Sequence, residues 1–136
     1  MNIQIISATI LLFAAFGYSC KQENKVEKMK AEVMAVHDEV MPEMGNLMNL
    51  KSQLKEKSSN LDSLDDSGNL EELNLLIQNL EEADEAMMDW MRNYKDPSGE
   101  MNEEQAMEYL KEKMKSIKEV KQKINTSKAK ARKALK

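Results

Sequence analysis

Apolar residues recur every seven positions along the first third of the chain. The repeated positions are Val26, Val33, Val40, Leu47 and Leu54. Three residues after most of them stand Met29, Val36 and Leu50. Residues that recur every seven positions lie along one side of a helix, so this pattern predicts a helix over about residues 24–57. Pro42 lies inside it and removes one backbone hydrogen bond, but the phase continues past it. We therefore expect a kink at Pro42 and not a break.

Two further segments show helical periodicity. The segment over about residues 70–94 has one apolar face, formed by Leu73, Leu76, Ile77, Leu80, Ala83, Met87, Met91 and Tyr94. The segment over about residues 103–135 has a stripe of Met107, Leu110, Met114, Ile117, Val120 and Ile124. Polar, turn-forming sequence separates the segments. Each is long enough, and periodic enough, to form an amphipathic helix.

Helix starts are marked by two asparagines with capping-box spacing. Asn69 stands three residues before Glu72, and Asn102 stands three residues before Gln105. In such a box the two side chains satisfy each other's free backbone N–H groups. Because short connections make consecutive helices antiparallel, we predict an all-α fold. Its architecture is an up-down-up antiparallel three-helix bundle, elongated and coiled-coil-like.

The N-terminal residues have a different character from the rest of the chain. Residues 1–20 carry no charged side chain, and the run 5–16 is almost wholly apolar. That run is shorter than the roughly 20 residues needed to span a bilayer, but it fits the core of a signal peptide. It ends in Gly17-Tyr18-Ser19-Cys20, and charged residues begin at Lys21.

The cysteine at this junction resembles the lipobox of bacterial lipoproteins. The resemblance implies that residues 1–19 are a cleaved signal peptide and that Cys20 is acylated. Residues 20–136 are then the mature helical domain. A secretory signal beside an unmodified cysteine is the alternative. Lys21 stands where an Asp often retains lipoproteins in the inner membrane, so we expect the outer membrane, in its periplasmic or surface leaflet.

Composition excludes several classes of function. The 136 residues include one cysteine and one histidine, so neither a disulfide framework nor a Cys-x-x-Cys zinc site can form. A Ser-His-Asp or Cys-His hydrolase is disfavoured for the same reason, and we expect no enzymatic activity. Nucleic acid is an unsuitable partner, because the predicted location is extracytoplasmic and no aromatic residues interleave the lysines.

Charge is distributed unevenly along the chain. The middle is strongly acidic and the last 26 residues are strongly basic. In an up-down-up bundle the end of the third helix returns beside the start of the second. We therefore expect complementary pairing within the molecule. The predicted basic partners are Lys121, Lys123, Lys128 and Lys130, and the acidic ones are Asp62, Asp65, Asp66, Glu71 and Glu72.

Methionine, histidine and tryptophan cluster in the predicted hairpin. One stripe of the first helix holds Met34, His37, Met41, Met44 and Met48. Counting back from the turn places His37 opposite residues 88–91. Methionine fills irregular cores, so packing is the first explanation. The alternative is a copper site, since thioether and imidazole ligands suit Cu(I) or Ag(I). Its candidate residues are His37, Met41, Met44, Met88, Met91 and Trp90.

Asp84 stands out among the apolar residues of the second helix. Its helical angle places it between Leu80 and Met87, in the middle of the apolar face. A buried carboxylate without a partner is costly and has a raised pKa. We therefore predict a buried polar pair between Asp84 and His37, or between Asp84 and a lysine of the third helix.

Three stretches of the mature chain are similar to one family. They read AVHDEVMPEMG at 35–45, LKSQL at 50–54 and ADEAMMDWM at 83–91. They resemble a group of small bacterial lipoproteins often labelled "viral A-type inclusion protein". The resemblance implies a bacterial envelope location and no particular activity. We expect a membrane-anchored, extracytoplasmic structural or interaction module, attached through Cys20, with a protein partner or a second copy of itself.

Overall fold

The computed structural model describes residues 25–62, 67–97, 99 and 101–136. Four helices lie in these ranges: α1 (Lys25–Val40), α2 (Glu43–Asp62), α3 (Ser67–Asn93) and α4 (Glu103–Ala134). No strand occurs among these residues. The predicted all-α bundle is confirmed, with α1 and α2 together forming the first of its three rods. The predicted signal peptide, residues 1–19, and the predicted lipid attachment site, Cys20, lie outside the described residues.

The first rod is interrupted at Met41 and Pro42, which form a turn between α1 and α2. Met41 N–H still donates to the His37 carbonyl at 2.9 Å, but Pro42 has no N–H to continue the ladder. The apolar phase crosses the turn unchanged, because Val40 before it and Leu47 after it are both buried. The helix is therefore divided in two, where a kink in one helix was predicted.

The turn at Pro42 is also where the first rod changes its neighbours. α2 packs closely against α3 and also contacts α4. α1 packs against α4, and no Cα atom of α1 lies within 8 Å of a Cα atom of α3. The two helices of the first rod therefore lean in different directions, and a gap opens between α1 and α3.

Helix direction follows from the ion pairs. Lys30, near the start of α1, pairs with Asp96, just after α3, at 2.7 Å, so the first and second rods are antiparallel. Lys121 pairs with Glu39 at 2.6 Å, and Lys128, further along α4, pairs with Glu43. The residue that is later in α4 thus pairs with the residue that is later in the first rod, so these two rods run parallel.

The two capping predictions had different outcomes. Asn102 is the N-cap of α4: its side chain accepts from Gln105 N–H at 2.9 Å, and the Gln105 side chain accepts from Asn102 N–H at 3.1 Å. The box at Asn69 was wrong, because α3 already begins at Ser67 and Asn69 lies inside the helix. This helix therefore starts three residues upstream of Leu70, where the spacing placed its first residue.

The core divides into two halves of different composition. The α2 half, formed by α2 with residues 67–83 and 121–134, buries aliphatic side chains: Leu47, Leu50, Leu54, Leu73, Leu76, Ile77, Leu80, Ala83, Ile124 and Ala131. The α1 half, formed by α1 with residues 84–97 and 101–120, buries a mixed set: Val33, Val40, Met87, Trp90, Pro97, Ala106, Leu110, Ile117 and Val120. No described helix is both long enough and apolar enough to cross a bilayer.

Candidate functional site in the groove between α1 and α3

The space between α1 and α3, across which His37 meets Trp90, is called the α1–α3 groove. Side chains bridge this groove. The His37 ring lies on the Trp90 indole with centroids 5.6 Å apart and an interplanar angle of 28°. The prediction that His37 faces residues 88–91 is therefore confirmed. This ring contact spans the groove because both side chains are long enough to meet across backbones that do not approach closely.

Trp90 belongs to a column of aromatic rings that continues towards α4. Its indole stacks on Tyr94 at 5.0 Å, and Tyr94 lies 6.3 Å from Tyr109. The Lys113 ammonium sits 5.2 Å above the Tyr109 ring, a cation–π contact. Sequence reasoning missed this column, although Met87, Trp90 and Tyr94 continue the heptad spacing that could have revealed it.

The Trp90 indole is fixed by a hydrogen bond to α4. Its Nε1–H donates to the Ser116 hydroxyl at 3.1 Å, with the Lys113 carbonyl at 3.3 Å. The side chain is 6% exposed, so almost all of this large ring is removed from water. Burial of the ring with a satisfied N–H is the arrangement in which tryptophan stabilises a core. Trp90 therefore ties α3 to α4 while its face supports His37.

The Tyr94 hydroxyl is buried and forms no hydrogen bond with any described residue. Desolvation raises the pKa of this phenol above 10.0, and the nearby Asp96 carboxylate raises it further. Lys30, which pairs with Asp96, has its own pKa raised by that contact. The phenol therefore stays neutral, in contact with rings on both sides.

His37 is oriented by its neighbour in sequence. Its Nδ1 lies 2.9 Å from Asp38 Oδ1. Because a carboxylate only accepts hydrogen bonds, Nδ1 carries a proton that it donates to Asp38, and Nε2 points away from this contact. The His37 side chain is 17% exposed. It is thus held from two sides, by the Asp38 carboxylate and by the Trp90 ring.

Asp84 does not pair with His37, and the predicted buried polar pair is wrong. Asp84 is half-buried, and no hydrogen bond or ion pair joins it to any described residue, lysines of α4 included. Ala83, at 0% exposure, occupies the centre of the packed face instead. Because a small side chain suits the close approach of neighbouring helices, α3 is rotated so that Asp84 reaches the rim of the groove, where water solvates it.

The candidate methionines differ sharply in exposure. Met87 is 0% exposed and belongs to the core, whereas its neighbour Met88 is 40% exposed. Met48 is 51% exposed. The remaining candidates are half-buried: Met34, Met41, Met44 and Met91. Met41, Met44 and Met91 therefore pack against the edge of the core, Met48 and Met88 are exposed, and Met87 is fully buried.

The basic residues of α4 form ion pairs, but with other partners than predicted. Lys121 pairs with Glu39, Lys123 with Glu82 at 3.3 Å, and Lys128 with Glu43. Of the predicted partners, Glu71 and Glu72 lie near the start of α3, whereas these three lysines are level with Glu39, Glu43 and the middle of α3. Lys130 forms no ion pair within the described residues. Asp65, Asp66 and the Asp62 side chain lie outside them.

The pair of Glu43 and Lys128 stands next to the turn at Pro42. Lys128 is 6% exposed, so its ammonium depends on this carboxylate for compensation. The hydrogen bond from Lys128, and then that from Asn46, lowers the pKa of Glu43 below 4.5. Sequence reasoning missed that this lysine is buried, because nothing in its spacing distinguishes it from the exposed lysines around it.

Side chains that bind hard or borderline metal ions are not grouped into a site among the described residues. In residues 25–62, 67–97, 99 and 101–136, no three His, Cys, Asp or Glu side chains are grouped to hold a metal ion. Comparisons with protein-family models, curated proteins and solved structures find no match to this chain. The interpretation of function therefore depends on the residues and geometry given above.

Proposed function

We propose that this chain is a bacterial envelope lipoprotein, anchored through Cys20, whose bundle acts as a non-enzymatic structural or interaction module. The observation that carries the proposal is the abrupt change at Cys20, from an apolar run to charged residues. An acylated cysteine anchors a protein stably, because each buried methylene contributes about 0.8 kcal/mol and more than one chain is attached. The outer membrane is the favoured destination.

The position of the bundle fits an anchored module. α1 begins at Lys25, only a few residues after Cys20, so the helices follow the anchor without a long linker. The end of the bundle next to the anchor contains the start of α1 and the connection from α3 to α4. At about 1.5 Å per residue, α4 alone extends nearly 50 Å from that end. The bundle then presents its sides and its far end to a protein partner or to a second copy.

Metabolic labelling tests the anchor. A bacterial host expressing the full chain is grown with a tagged palmitate, and the proposal predicts label on the wild-type chain, which fractionates with membranes. Cys20→Ala should abolish both the label and the membrane association. The matched control adds Ser52→Cys to Cys20→Ala, which restores a cysteine at an exposed position of α2 and should not restore the label.

A different outcome identifies the alternative. A wild-type chain that is cleaved, unlabelled and released from the membrane fraction is an ordinary secreted protein, and the anchor proposal is then wrong. Sedimentation of the lipidated full chain in detergent tests the interaction role. A dimer or higher species that dissociates on dilution is the result expected of a self-associating module, whereas a strict monomer leaves the role to a different protein partner.

A further inference from the structure

Thioether side chains line one wall of the α1–α3 groove. Between Lys30 and Lys51, residues spaced alternately four and three apart form one stripe of the first rod. The members of this stripe are Met34, His37, Met41, Met44 and Met48. The stripe is fixed towards the second rod at three points. Lys30 pairs with Asp96 at 2.7 Å, His37 stacks on Trp90, and Lys51 lies 3.7 Å from Glu81. The methionines of this stripe therefore lie on the side of the first rod turned towards the second rod, whereas Glu39, between them in sequence, reaches Lys121 of α4.

The opposite wall is a stripe of α3 that starts at Glu81. Steps of three and four residues lead from Glu81 to Asp84, Met88 and Met91. Glu81 faces the first rod, since Lys51 and Lys55 both reach its carboxylate. Met88 and Met91 also lie on either side of Trp90 in sequence, which fixes them at the level of His37. Helical spacing thus places thioethers of the first rod and of α3 along the same groove.

These methionines have the exposure of an accessible site. Met87 shows the opposite case, since at 0% exposure its thioether is closed to a ligand. Met88 is instead 40% exposed, and Met41, Met44 and Met91 are half-buried. The α1 and α3 backbones do not approach closely and methionine side chains are flexible, so Met88 and Met91 of α3 can rearrange around a small ligand beside His37.

His37 is prepared as a ligand by its hydrogen bond to Asp38. A histidine that binds a metal commonly donates its other ring N–H to a carboxylate, which fixes the tautomer and raises the basicity of the binding nitrogen. The Nδ1 contact of 2.9 Å to Asp38 has this form, and Nε2 forms no hydrogen bond within the described residues. The imidazole is thus oriented by Asp38, and its Nε2 lies in the same groove as the thioethers.

We propose that the α1–α3 groove binds a soft monovalent cation of the Cu(I) and Ag(I) class. The ligands are His37 Nε2 and thioethers drawn from Met41, Met44, Met88 and Met91. Thioether sulfur and imidazole together select such ions over the hard cations that carboxylates prefer. The indole of Trp90, stacked on His37, lies next to the ion. This site requires only the bundle, so it stands or falls independently of the lipid anchor.

A titration with Ag(I) tests the site directly. The full chain carrying Cys20→Ser, so that no thiol competes, is placed in detergent micelles with isotope-labelled methionine methyl groups. We expect Trp90 fluorescence to be quenched and to saturate at a single equivalent. In NMR spectra the methyl signals of Met41, Met44, Met88 or Met91 should shift together with that quenching. Met29 and Met114, half-buried methionines outside the groove, should not shift.

Paired variants identify the ligands. Met88→Leu with Met91→Leu should weaken Ag(I) binding by about tenfold or more, as should His37→Gln, whereas Met29→Leu with Met114→Leu should leave the affinity unchanged. For Cu(I), competition with a chelator in the absence of oxygen should rank the affinities of these variants in the same order. Absence of saturable binding overturns the proposal. So does binding that shifts all methionine signals alike, or that the groove and control variants weaken equally. Circular dichroism confirms that each variant is folded.

Discussion

The α2 half and the α1 half of the bundle are built on different principles. In the α2 half, α2 and α3 approach closely and Leu54, Leu80 and Ile124 are buried at 0–1% exposure. In the α1 half, α1 leans on α4, and the space towards α3 is bridged by rings and thioethers. The same heptad phase runs through both halves. Both halves contain fully buried side chains, such as Met87 and Leu110 at 0% exposure in the α1 half. They differ in that the α2 and α3 backbones approach closely, whereas α1 and α3 meet only through side chains.

The turn at Pro42 separates the two arrangements. Pro42 interrupts the first rod without changing its apolar phase, so Val40 and Leu47 remain buried on either side. The ion pair of Glu43 with buried Lys128 fixes the first turn of α2 on α4. The fold can therefore tolerate an open groove beside α1 because the neighbouring half is fully packed.

The largest expected effect comes from removing an aliphatic side chain of the α2 half. Leu54→Ala should lower the free energy of unfolding by about 3 kcal/mol, because Leu54 is fully buried and its removal leaves a cavity. In the α1 half, Met88→Ala should cost less than about 0.5 kcal/mol, since Met88 is already 40% exposed. Urea denaturation of both variants measures the difference. Equal losses would contradict the exposed position of Met88 on α3.

The next effect concerns the ring that supports His37. Trp90→Phe should cost about 2 kcal/mol, because the smaller ring leaves space and cannot donate to the Ser116 hydroxyl. Ser116→Ala removes the acceptor without changing the ring and should cost about 1 kcal/mol. Chemical denaturation ranks the two variants. A Trp90→Phe chain as stable as the wild type would contradict the buried position of the indole.

The ion pair beside the turn gives a smaller effect with a defined pH dependence. Because the pKa of Glu43 is lowered from 4.5, its contribution is present above that pH and is lost as the pH falls through the lowered value. Glu43→Gln should cost about 1–2 kcal/mol at neutral pH, a figure reduced by the partial exposure of Glu43, and should weaken the acid dependence. Lys128→Met should be close to neutral, because the buried charge is removed and the remaining Glu43 carboxylate, 35% exposed, reaches water and keeps its bond from Asn46. Denaturation at pH 7 and pH 3 compares them, and a strongly destabilised Lys128→Met chain would contradict this account.

The smallest effect is expected at the Tyr94 hydroxyl. Tyr94→Phe should leave stability unchanged or raise it by up to about 1 kcal/mol, because the buried hydroxyl has no described partner. The pKa of Tyr94 is raised above 10.0, so its contribution is present below pH 10 and is lost as the pH rises through the raised value. The variant should therefore lose less stability between pH 9 and pH 11 in thermal melts. A clear loss at neutral pH would indicate a hydrogen bond that the hydroxyl does make.

The elements predicted correctly are those that depend on short-range spacing. Helix geometry alone was enough to predict the heptad positions and the Asn102 capping box. It also allowed residues to be counted back from the turn of the hairpin, which placed His37 at Trp90. The division at Pro42 was underestimated, because the same apolar phase is compatible with a kink or with two helices. Sequence alone does not reveal that α1 and α2 have different neighbours.

The errors share one physical origin. Spacing within one helix fixes neither its rotation about its own axis nor its shift along the neighbouring helices. Asp84 was placed at the centre of its face, but the alanine before it fills that position and Asp84 moves to the rim. The lysines of α4 were matched to the wrong acidic residues because the helices are offset along the bundle. Such offsets are set by how side chains interlock between helices, as where Ser127 donates to the Asn79 carbonyl at 3.1 Å, and not by spacing within one helix.

Residue-by-residue oxidation of the methionines tests the central claim, that α3 presents Met87 to the core and Met88 to the α1–α3 groove. Brief treatment of the folded full chain with hydrogen peroxide, followed by peptide mass spectrometry, measures the rate at each thioether. We predict that Met48 and Met88 are oxidised first and Met87 last, following exposures of 51%, 40% and 0%. Met87 reacting as fast as Met88 would contradict the orientation of α3, and with it the groove.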